Sequence, residues 1–523
     1  MIINTIIFLV ATQLVYYSIL GYGSLLKKDT LKDIWLENFL NFTVGIIILN
    51  LIGFFCYYLE FNSNYLNIFL LLIGLCFFDL KKNRTIFKKQ ILVNVLFFSS
   101  LLISKLHEDW PYHFNFIEQI SIHSPLIGIG NVDDIHMLST SFFSFVQKIF
   151  FLPFFEFKLI LIPTYLIYLN LIIFLIHIIL ENKNQLSLIF ILILTILIIK
   201  FSRISEFGYD YLSNFILLKI LILFLIKQND LKINISFNNI YILFFLYSIT
   251  IKISALFFTP ILVYLVYEDF DKKKIIFKDG YNYLFLILCC FFLIENFLKS
   301  GCFLYFIENT CLNKDLVSWS IDYYRVSNHA NHVELWAKGF YVQESINDSA
   351  SYLNIKNWFP IWVKNHFFYK IFEFILIPIL FLIYVVISKT FVIRNKKYYK
   401  FLFASIISIL LWFNFLPQLR FGSTILIVFF IAFMMIFLDK NILIKFDNKK
   451  YIIVFILLVL IFNFKNIDRI KNEFKREDVH KFTNYPFPPE KRILSSINSA
   501  NTIKFLPYKG RKIKKFKWFN VIN

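Results

Sequence analysis

Long apolar runs recur throughout this chain, and they constrain its fold more than any other feature. Runs such as LIFILILTILIIK and YIIVFILLVLIFNF have the character of helices that cross a hydrocarbon core roughly 30 Å thick. An isolated strand in lipid would leave its backbone groups unpaired, so the runs are predicted to be helices. With 68 Phe, 58% hydrophobic residues and only 17% charged residues, the 523-residue chain has too little polar surface for a soluble globule. The sequence therefore predicts an all-α, polytopic integral membrane protein.

Basic clusters between the runs predict the orientation of the chain. Lys27, Lys28 and Lys32 follow the first run, Ile2–Leu26, and the dense cluster KKNRTIFKK spans Lys81–Lys89. Positive clusters favour the cytoplasmic side, which predicts an outer amino terminus in the cytoplasmic (inner) membrane. The net charge of +20 is attributed to this bias and to contact with the lipid bilayer. Nucleic acid is not an expected partner, because the sequence has no phosphate loop, nucleic-acid motif or paired CxxC.

Counting spans in this way gives a bundle of about 14 transmembrane helices within residues 1–464. The long run Ile235–Tyr267 is predicted to form two spans divided at Lys252, which then lies at the outer boundary. Large outer loops are predicted at 105–153 and 298–366, and the basic tail 465–523 is also placed outside. The amphipathic pattern of Ser139–Pro153 predicts a helix in the interface, with Ser and Gln on its wet side.

The first outer loop concentrates side chains that are suited to acid–base or metal chemistry. These are His107, Glu108, Asp109, Tyr112, His113, Glu118, His123, Asp133, Asp134 and His136. Carboxylates and imidazoles at the mouth of a membrane bundle suit chemistry at a lipid–water boundary. The alternative is an ordinary solvated loop between two spans.

Cys302 and Cys311 are the only two cysteines predicted to lie in an outer loop. Because they are nine residues apart on the oxidising side, a disulfide is expected to close the loop entrance. Two free buried thiols are the alternative.

The predicted layout resembles the GT-C superfamily of polyprenyl-phosphate-dependent membrane glycosyltransferases. It has about fourteen spans, a first large outer loop with adjacent carboxylates, a following amphipathic helix and a second large outer loop. Several short motifs are also similar to a little-characterised bacterial family of GT-C-like membrane proteins, namely DWPYHF (Asp109–Phe114), LIGIGN (Leu126–Asn131), SGCFLY…TC (Ser300–Cys311) and PQLRFG (Pro417–Gly422). The resemblance implies a GT-C-like bundle and transfer of a sugar from a polyprenyl-phosphate donor to a glycan or lipid-linked acceptor.

The resemblance also implies roles for individual residues. An acidic residue of the first outer loop acts as base or metal ligand in GT-C enzymes, and Asp109 with Glu108 matches that place, although the order here is Glu-Asp. Fixed cations would hold the donor phosphate, with Arg420 first and Lys252 and Arg203 after it. Tyr112 and Asn131 are further candidates for the donor site. His113 would assist the base or bind a divalent ion, Mg or Mn, for which the candidate ligands are Asp109, His113, Asp133, Asp134 and His136.

Three other functions remain open from the sequence. A polymerase of surface polysaccharide of the O-antigen type would use nearly the same chemistry on the same face. A lipid-linked glycan flippase or another transporter would instead line a midplane cavity with charges. A scaffold without catalytic activity is the last alternative.

Overall fold

A computed structural model describes most of the chain. The described residues are 2–26, 33–61, 63–101, 110–131, 140–153, 155, 159–181, 187–202, 204, 209–229, 237–268, 279–305, 307–340, 349–387, 395–438, 448–474, 513–515 and 520–522.

Helices dominate these residues, as the apolar runs predict. In the first half of the chain they are α1 (Ile2–Ser24), α2 (Ile34–Tyr58), α3 (Asn64–Cys76), α4 (Arg84–Phe97), α5 (Trp110–Ile122), α6 (Ser144–Ile149), α7 (Ile162–Glu181), α8 (Ser187–Lys200), α9 (Asp210–Asn229), α10 (Asn238–Ile251) and α11 (Thr259–Glu268). In the second half they are α12 (Gly280–Ser300), α13 (Tyr323–Ala337), α14 (Ser349–Tyr352), α15 (Ile355–Trp362), α16 (Phe372–Ile387), α17 (Tyr399–Phe415), α18 (Leu419–Phe437) and α19 (Asn448–Phe474). A π-helical stretch, Val363–Ile371, joins α15 to α16.

Seven helical segments in the described residues are long and apolar enough to cross a membrane. They are Ile6–Ser24, Ile34–Tyr58, Ile162–Glu181, Gly280–Ser300, Ile355–Ile383, Lys396–Phe415 and Leu419–Phe437. Shorter apolar helices cover Asn64–Cys76, Ser187–Lys200, Asn238–Ile251 and Ile253–Glu268. The chain is thus a predominantly helical, multi-pass membrane protein, as its sequence predicts.

Burial separates central helices from peripheral ones. The apolar window of α7 is 89% buried and that of α2 is 83% buried, whereas the segment Ile355–Ile383 is only 22% buried. A helix that is apolar all round and buried belongs to the centre of a bundle, and one that keeps its apolar face exposed belongs to the lipid-facing perimeter. The centre of the bundle is therefore built around α2, α7 and α18, the last of which is 78% buried.

The run Ile235–Tyr267 breaks at Lys252, as predicted. Helix α10 ends at Ile251, and Lys252 has extended backbone angles before a 3₁₀ segment, Ile253–Phe258, leads into α11. The break places the Lys252 side chain at the end of a helix, where a charge is tolerated far better than inside an apolar run.

The last part of the predicted first loop, Ser139–Pro153, differs from the prediction. Only Ser144–Ile149 forms a helix, and Ser144, Gln147 and Lys148 are buried instead of facing water. The helix α6 packs against α2 and α5, so its polar groups find protein partners. The expectation that Ser and Gln of this segment face water is therefore wrong, because sequence periodicity does not show which polar side chains have internal partners.

Side chains of α2 and α3 hold α6 in this buried position. Asn50 accepts a hydrogen bond from the Val146 amide at 3.0 Å, and Asn67 donates to the carbonyls of Lys148 and Phe151 at 3.1 and 2.9 Å. These bonds satisfy backbone groups at the ends of a short helix, which an apolar surrounding requires.

A small sheet joins the LIGIGN motif to residues near the carboxyl end of the chain. β1 (Leu126–Ile127) pairs in parallel with β3 (Asn520–Ile522), which pairs antiparallel with β2 (Ile513–Lys515). The end of the basic tail therefore lies on the same end of the bundle as the LIGIGN motif of the first large loop.

Replacing Gly53 by Ala is expected to displace α6 from its packed position against α2. A Cβ at this position would lie 2.1 Å from the carbonyl oxygen of Phe145, and both groups belong to rigid backbone. We expect a loss of about 1–3 kcal/mol in unfolding free energy, followed by thermal unfolding in detergent. Gly280→Ala is the matched control, because its Cβ would meet only the flexible end of Leu26 at 3.1 Å. Equal midpoints for the two variants would contradict this account of α6.

Candidate functional site

Three helix ends converge at one point of the bundle. Helix α9 begins at Asp210, α10 ends one residue before Lys252, and α18 begins at Leu419 next to Arg420. The contacts of α9 with both α10 and α18 bring these ends together. Charged residues at the three ends can therefore meet although they are far apart in the sequence.

The carboxylate of Asp210 binds two cations. Its Oδ1 lies 3.0 Å from Lys252 Nζ, and its Oδ2 lies 3.0 Å from Arg420 Nη1. The Asp210 side chain is 2% exposed, whereas those of Arg420 and Lys252 are 13% and 19% exposed. Two cations and one carboxylate leave one net positive charge among these three groups, at a point that is mostly shielded from water. We call Asp210, Lys252 and Arg420 the ionic cluster.

Asn214 fixes the backbone of two residues of the ionic cluster, Asp210 and Arg420, by hydrogen bonds. Its side-chain amide donates to the carbonyls of Asp210 and Arg420, both at 2.8 Å. Its Oδ1 accepts from the Thr424 amide at 3.2 Å, and the Thr424 hydroxyl donates to the Asn214 carbonyl at 3.1 Å. These bonds hold the first turns of α9 and α18 in register, so Asp210 and Arg420 are placed relative to each other before any ligand arrives.

Aromatic rings enclose the two cations. The Arg420 guanidinium carbon lies 4.2 Å from the ring centre of Trp336 and 5.0 Å from that of Phe421. Lys252 Nζ lies 5.7 Å from the Phe421 ring. Such contacts add cation–π attraction and fix the plane of the guanidinium. Trp336 belongs to α13, so the long segment between α12 and α16 supplies one wall of the site.

His113 contacts Tyr209, the residue next to Asp210 of the ionic cluster. Its ring packs edge-on against Tyr209, with ring centres 4.3 Å apart, and Tyr209 directly precedes Asp210. The Tyr209 hydroxyl bonds with Ser144 at 2.9 Å and with the side-chain oxygen of Gln147. Of the predicted catalytic residues, His113 is described by the structure, and it contacts the residue that precedes Asp210.

Asn131 joins the two outer loops. Its amide donates to the carbonyl of Trp319 at 2.7 Å, and the amide of Gly128 donates to Leu298 at 2.7 Å. The LIGIGN motif is thus a junction between the first loop, the end of α12 and the second loop. The role of Asn131 toward a donor phosphate stays a prediction.

Several predicted residues lie outside the described residues. They are His107, Glu108, Asp109, Asp133, Asp134, His136 and Arg203, and Tyr112 is placed only as a residue of α5. Among the residues that the structure does describe, no three His, Cys, Asp or Glu side chains group together as metal ligands. The catalytic roles of Asp109 and Glu108 and the metal set therefore stay predictions.

The predicted disulfide between Cys302 and Cys311 is present. Gly301 ends α12 with a φ of 72°, a left-handed conformation that favours glycine, and so turns the chain into the disulfide loop. Ile321 and Val326 pack on Cys302. Because Val326 belongs to α13, the disulfide supports the helix that carries Trp336.

A second buried ion pair lies at the same end of the bundle. Glu295 and Lys299 pair within α12, and Lys299 Nζ also donates to the Thr140 carbonyl at 3.1 Å and lies 4.6 Å from the Phe116 ring. Glu295 and Lys299 were not among the predicted site residues. Opposite charges four residues apart in an otherwise apolar helix were a usable signal.

Asp210 and Trp336 were also missed by the sequence analysis. An acidic residue at the edge of an apolar run was a weak signal for Asp210, since helices often start with one. Trp336 lies in a polar loop segment and had no local signal, because its role depends on a contact with a residue of a distant helix.

Asp210→Asn is expected to lower stability more than the loss of either cation. The change leaves Lys252 and Arg420 close together without their shared counter-charge, and breaking a buried pair costs roughly 3 kcal/mol. Adding Lys252→Met to Asp210→Asn should restore part of that loss by removing the repulsion between the cations. Thermal unfolding of the purified protein compares Asp210→Asn, the double variant and the variants that lose either cation alone.

Glu373→Gln is the control for this experiment. Glu373 pairs with Lys200 at 2.8 Å, but its side chain is 67% exposed, so the pair should contribute at most about 1 kcal/mol. If Asp210→Asn proved no more destabilising than Glu373→Gln, the ionic cluster would not have the structural role assigned to it.

Comparison with known proteins places the chain in a family. Residues 5–427 match the model of DUF8201, described as a domain of unknown function. The matched range contains both predicted outer loops and all three residues of the ionic cluster. No curated protein and no solved structure matches the chain. Since the match covers well over half of the sequence, the protein belongs to the DUF8201 family.

Proposed function

We propose that this protein is a GT-C-like membrane glycosyltransferase. It transfers a sugar from a polyprenyl-phosphate-linked donor to a lipid-linked or surface glycan acceptor on the outer face of the cytoplasmic membrane. The observation that carries the proposal is the ionic cluster, in which two cations share one buried carboxylate where the two large loops meet.

The charge of the ionic cluster suits a phosphate diester. Arg420 and Lys252 are suited to hold the single negative charge of a glycosyl phosphate diester. A guanidinium has five N–H donors in a planar fork, so Arg420 can serve the Asp210 carboxylate and phosphate oxygens together. The amino end of a helix favours anions, so the first turn of α18 also suits a phosphate. Within the described residues, the Gln418 side chain makes no capping hydrogen bond there.

The proposed topology has fourteen spans. They are α1 to α4, α7 to α12 and α16 to α19, where α11 includes the preceding 3₁₀ segment. Alternating directions put the start of α9, the end of α10, the end of α12 and the start of α18 on one face. Contacts of the last span support this count, since Asn463 of α19 bonds with Ser99 after α4 at 2.8 Å. The pairing of β1 with β3 agrees with a tail on the same face as the first loop.

In the proposed reaction the phosphate is the leaving group and one carboxylate is the base. The acceptor hydroxyl oxygen attacks the anomeric carbon, the bond from that carbon to the phosphate oxygen breaks, and its electron pair leaves with the phosphate. Arg420 and Lys252 stabilise the charge that gathers on the leaving oxygen. Asp109, directly before α5, takes the hydroxyl proton.

A divalent ion would add further charge stabilisation if the first loop binds one. Of the candidate ligands, His113 is the described one, and its ring packs against Tyr209. The described residues hold no group of three His, Cys, Asp or Glu side chains that could bind Mg or Mn. No step of the proposed reaction is therefore assigned to a metal.

The transporter alternative has less support than the enzyme. Lys219, near the middle of α9, is the kind of buried charge that lines a transport path. It donates to Asn170 at 2.6 Å, to Thr43 at 2.8 Å and to the Phe39 carbonyl at 3.2 Å. These three acceptors match the three N–H groups of an ammonium ion, so Lys219 joins α2, α7 and α9 instead of facing a substrate. A polysaccharide polymerase would use the same phosphate site, and the acceptor distinguishes it.

Impermeant thiol labelling tests the proposed topology. A cysteine at His123, exposed at the end of α5, should be labelled in intact cells, and one at Lys396, exposed before α17, only after the cells are opened. Cys76 and Cys290 are replaced by Ser beforehand because both are exposed. The reverse labelling pattern would put the ionic cluster on the cytoplasmic face and end the proposal of an outer-face enzyme.

Asp109→Asn and Arg420→Lys test the chemistry. Each should lower sugar transfer roughly a hundredfold or more, because the first removes the base and the second replaces the fork by a point charge. Mass analysis of surface glycans, with protein levels measured in the same membranes, reports the outcome. Lys314→Met is the control, since Lys314 pairs with Asp322 at 2.6 Å on the loop surface and both side chains are at least half exposed. Unchanged glycans in the Asp109→Asn strain at normal protein levels would rule out the assigned chemistry.

A further inference from the structure

Trp336 is placed where it can contact more than Arg420. Its ring lies 4.2 Å from the guanidinium carbon, yet the residue is only half-buried. An indole is larger than a guanidinium, so one stacked cation does not use its whole surface. Part of an aromatic face thus lies next to the proposed phosphate site on the side of the second outer loop.

The helix that carries Trp336 is held at both ends. At its start, Val326 packs on Cys302 of the disulfide. At its end, Gln418 donates to the Trp336 carbonyl at 3.3 Å, and Lys338 Nζ lies 5.1 Å from the Trp358 ring. The indole therefore does not need to be ordered by a ligand, which lowers the entropic cost of binding one.

We propose that Trp336 is the sugar-positioning residue of the donor site. This inference rests on the proposed function. With the phosphate bound by Arg420 and Lys252, the sugar is one bond away and packs one of its C–H faces against the indole. Carbohydrate rings have such an apolar face, and aromatic side chains are the surfaces that bind it while polar groups fix its orientation. The class of ligand assigned to Trp336 is therefore a pyranose joined to the phosphate.

The test compares two kinds of phosphate diester of equal charge, one without a sugar and one with a sugar. Octyl methyl phosphate has the phosphate and no sugar, whereas octyl glucosyl, galactosyl, mannosyl and N-acetylglucosaminyl phosphates have both. Binding to the purified full-length protein is measured by titration calorimetry. We expect at least one sugar ester to bind about fivefold to tenfold more tightly than the methyl ester. Trp336→Leu, which keeps an apolar side chain without an aromatic face, should reduce that ratio to about one by lowering the affinity for the sugar ester more than the affinity for the methyl ester.

Matched variants separate a sugar contact from a structural effect. Trp336→Phe should keep most of the preference for the sugar ester. Trp35→Leu removes another tryptophan that lies under a cation, with Lys89 Nζ 4.9 Å from its ring and its own ring stacked on His177, and it should change neither affinity. Thermal midpoints of all variants establish that they are folded.

The outcomes distinguish the two proposals. Equal loss of both esters in Trp336→Leu would show that Trp336 only holds Arg420, and no preference for any sugar ester in the native protein would equally overturn the inference. In either case the phosphate site would stand. Failure of every ester to bind, or binding unaffected by Arg420→Lys, would instead reject the proposed function.

Discussion

The buried carboxylate of Asp210 is the interaction on which this end of the protein depends. A charge in a poorly solvated site is costly unless it is paired, and Asp210 is paired with two cations from two other segments. Each of the three groups therefore requires the others. The pairing draws together the ends of α9, α10 and α18, and Asn214 then fixes the backbones of α9 and α18 by hydrogen bonds. His113, through Tyr209, and Trp336 connect the same point to the first and second loop regions.

A polar segment inside an apolar bundle follows the same rule. The helix α6 is too short to cross a membrane and carries Ser, Gln and Lys side chains, yet it is buried. It is tolerated because Asn50, Asn67 and Tyr209 supply the hydrogen bonds that lipid cannot. Gly53 allows the close approach that these bonds need. Polar pairing thus decides where irregular backbone can lie in this fold.

A preorganised cation pair is a sound basis for leaving-group chemistry. Arg420 and Lys252 are oriented by protein contacts and not by substrate, so little reorganisation is needed when negative charge develops nearby. A base from the first loop and an aromatic wall from the second would complete a donor site with a separate source for each part. Membership of the DUF8201 family leaves the activity open. The case for a GT-C-like glycosyltransferase therefore rests on this geometry and on the motifs in the loops.

Hydropathy, charge and the positions of the cysteines were enough to predict the helical membrane class, the break at Lys252 and the disulfide. These are local properties: the length of an apolar run, a charge inside it, or two cysteines in one loop. The partner of Arg420 could not be read in this way, because Asp210 and Trp336 come from distant segments and their contacts depend on helix packing. The burial of α6 was mispredicted for the same reason, since its polar side chains look solvent-facing until their partners on other helices are known. The sequence alone thus determined that the chain is a helical membrane protein, and the tertiary structure decided which charges meet, because pairing depends on three-dimensional distance and hydropathy does not.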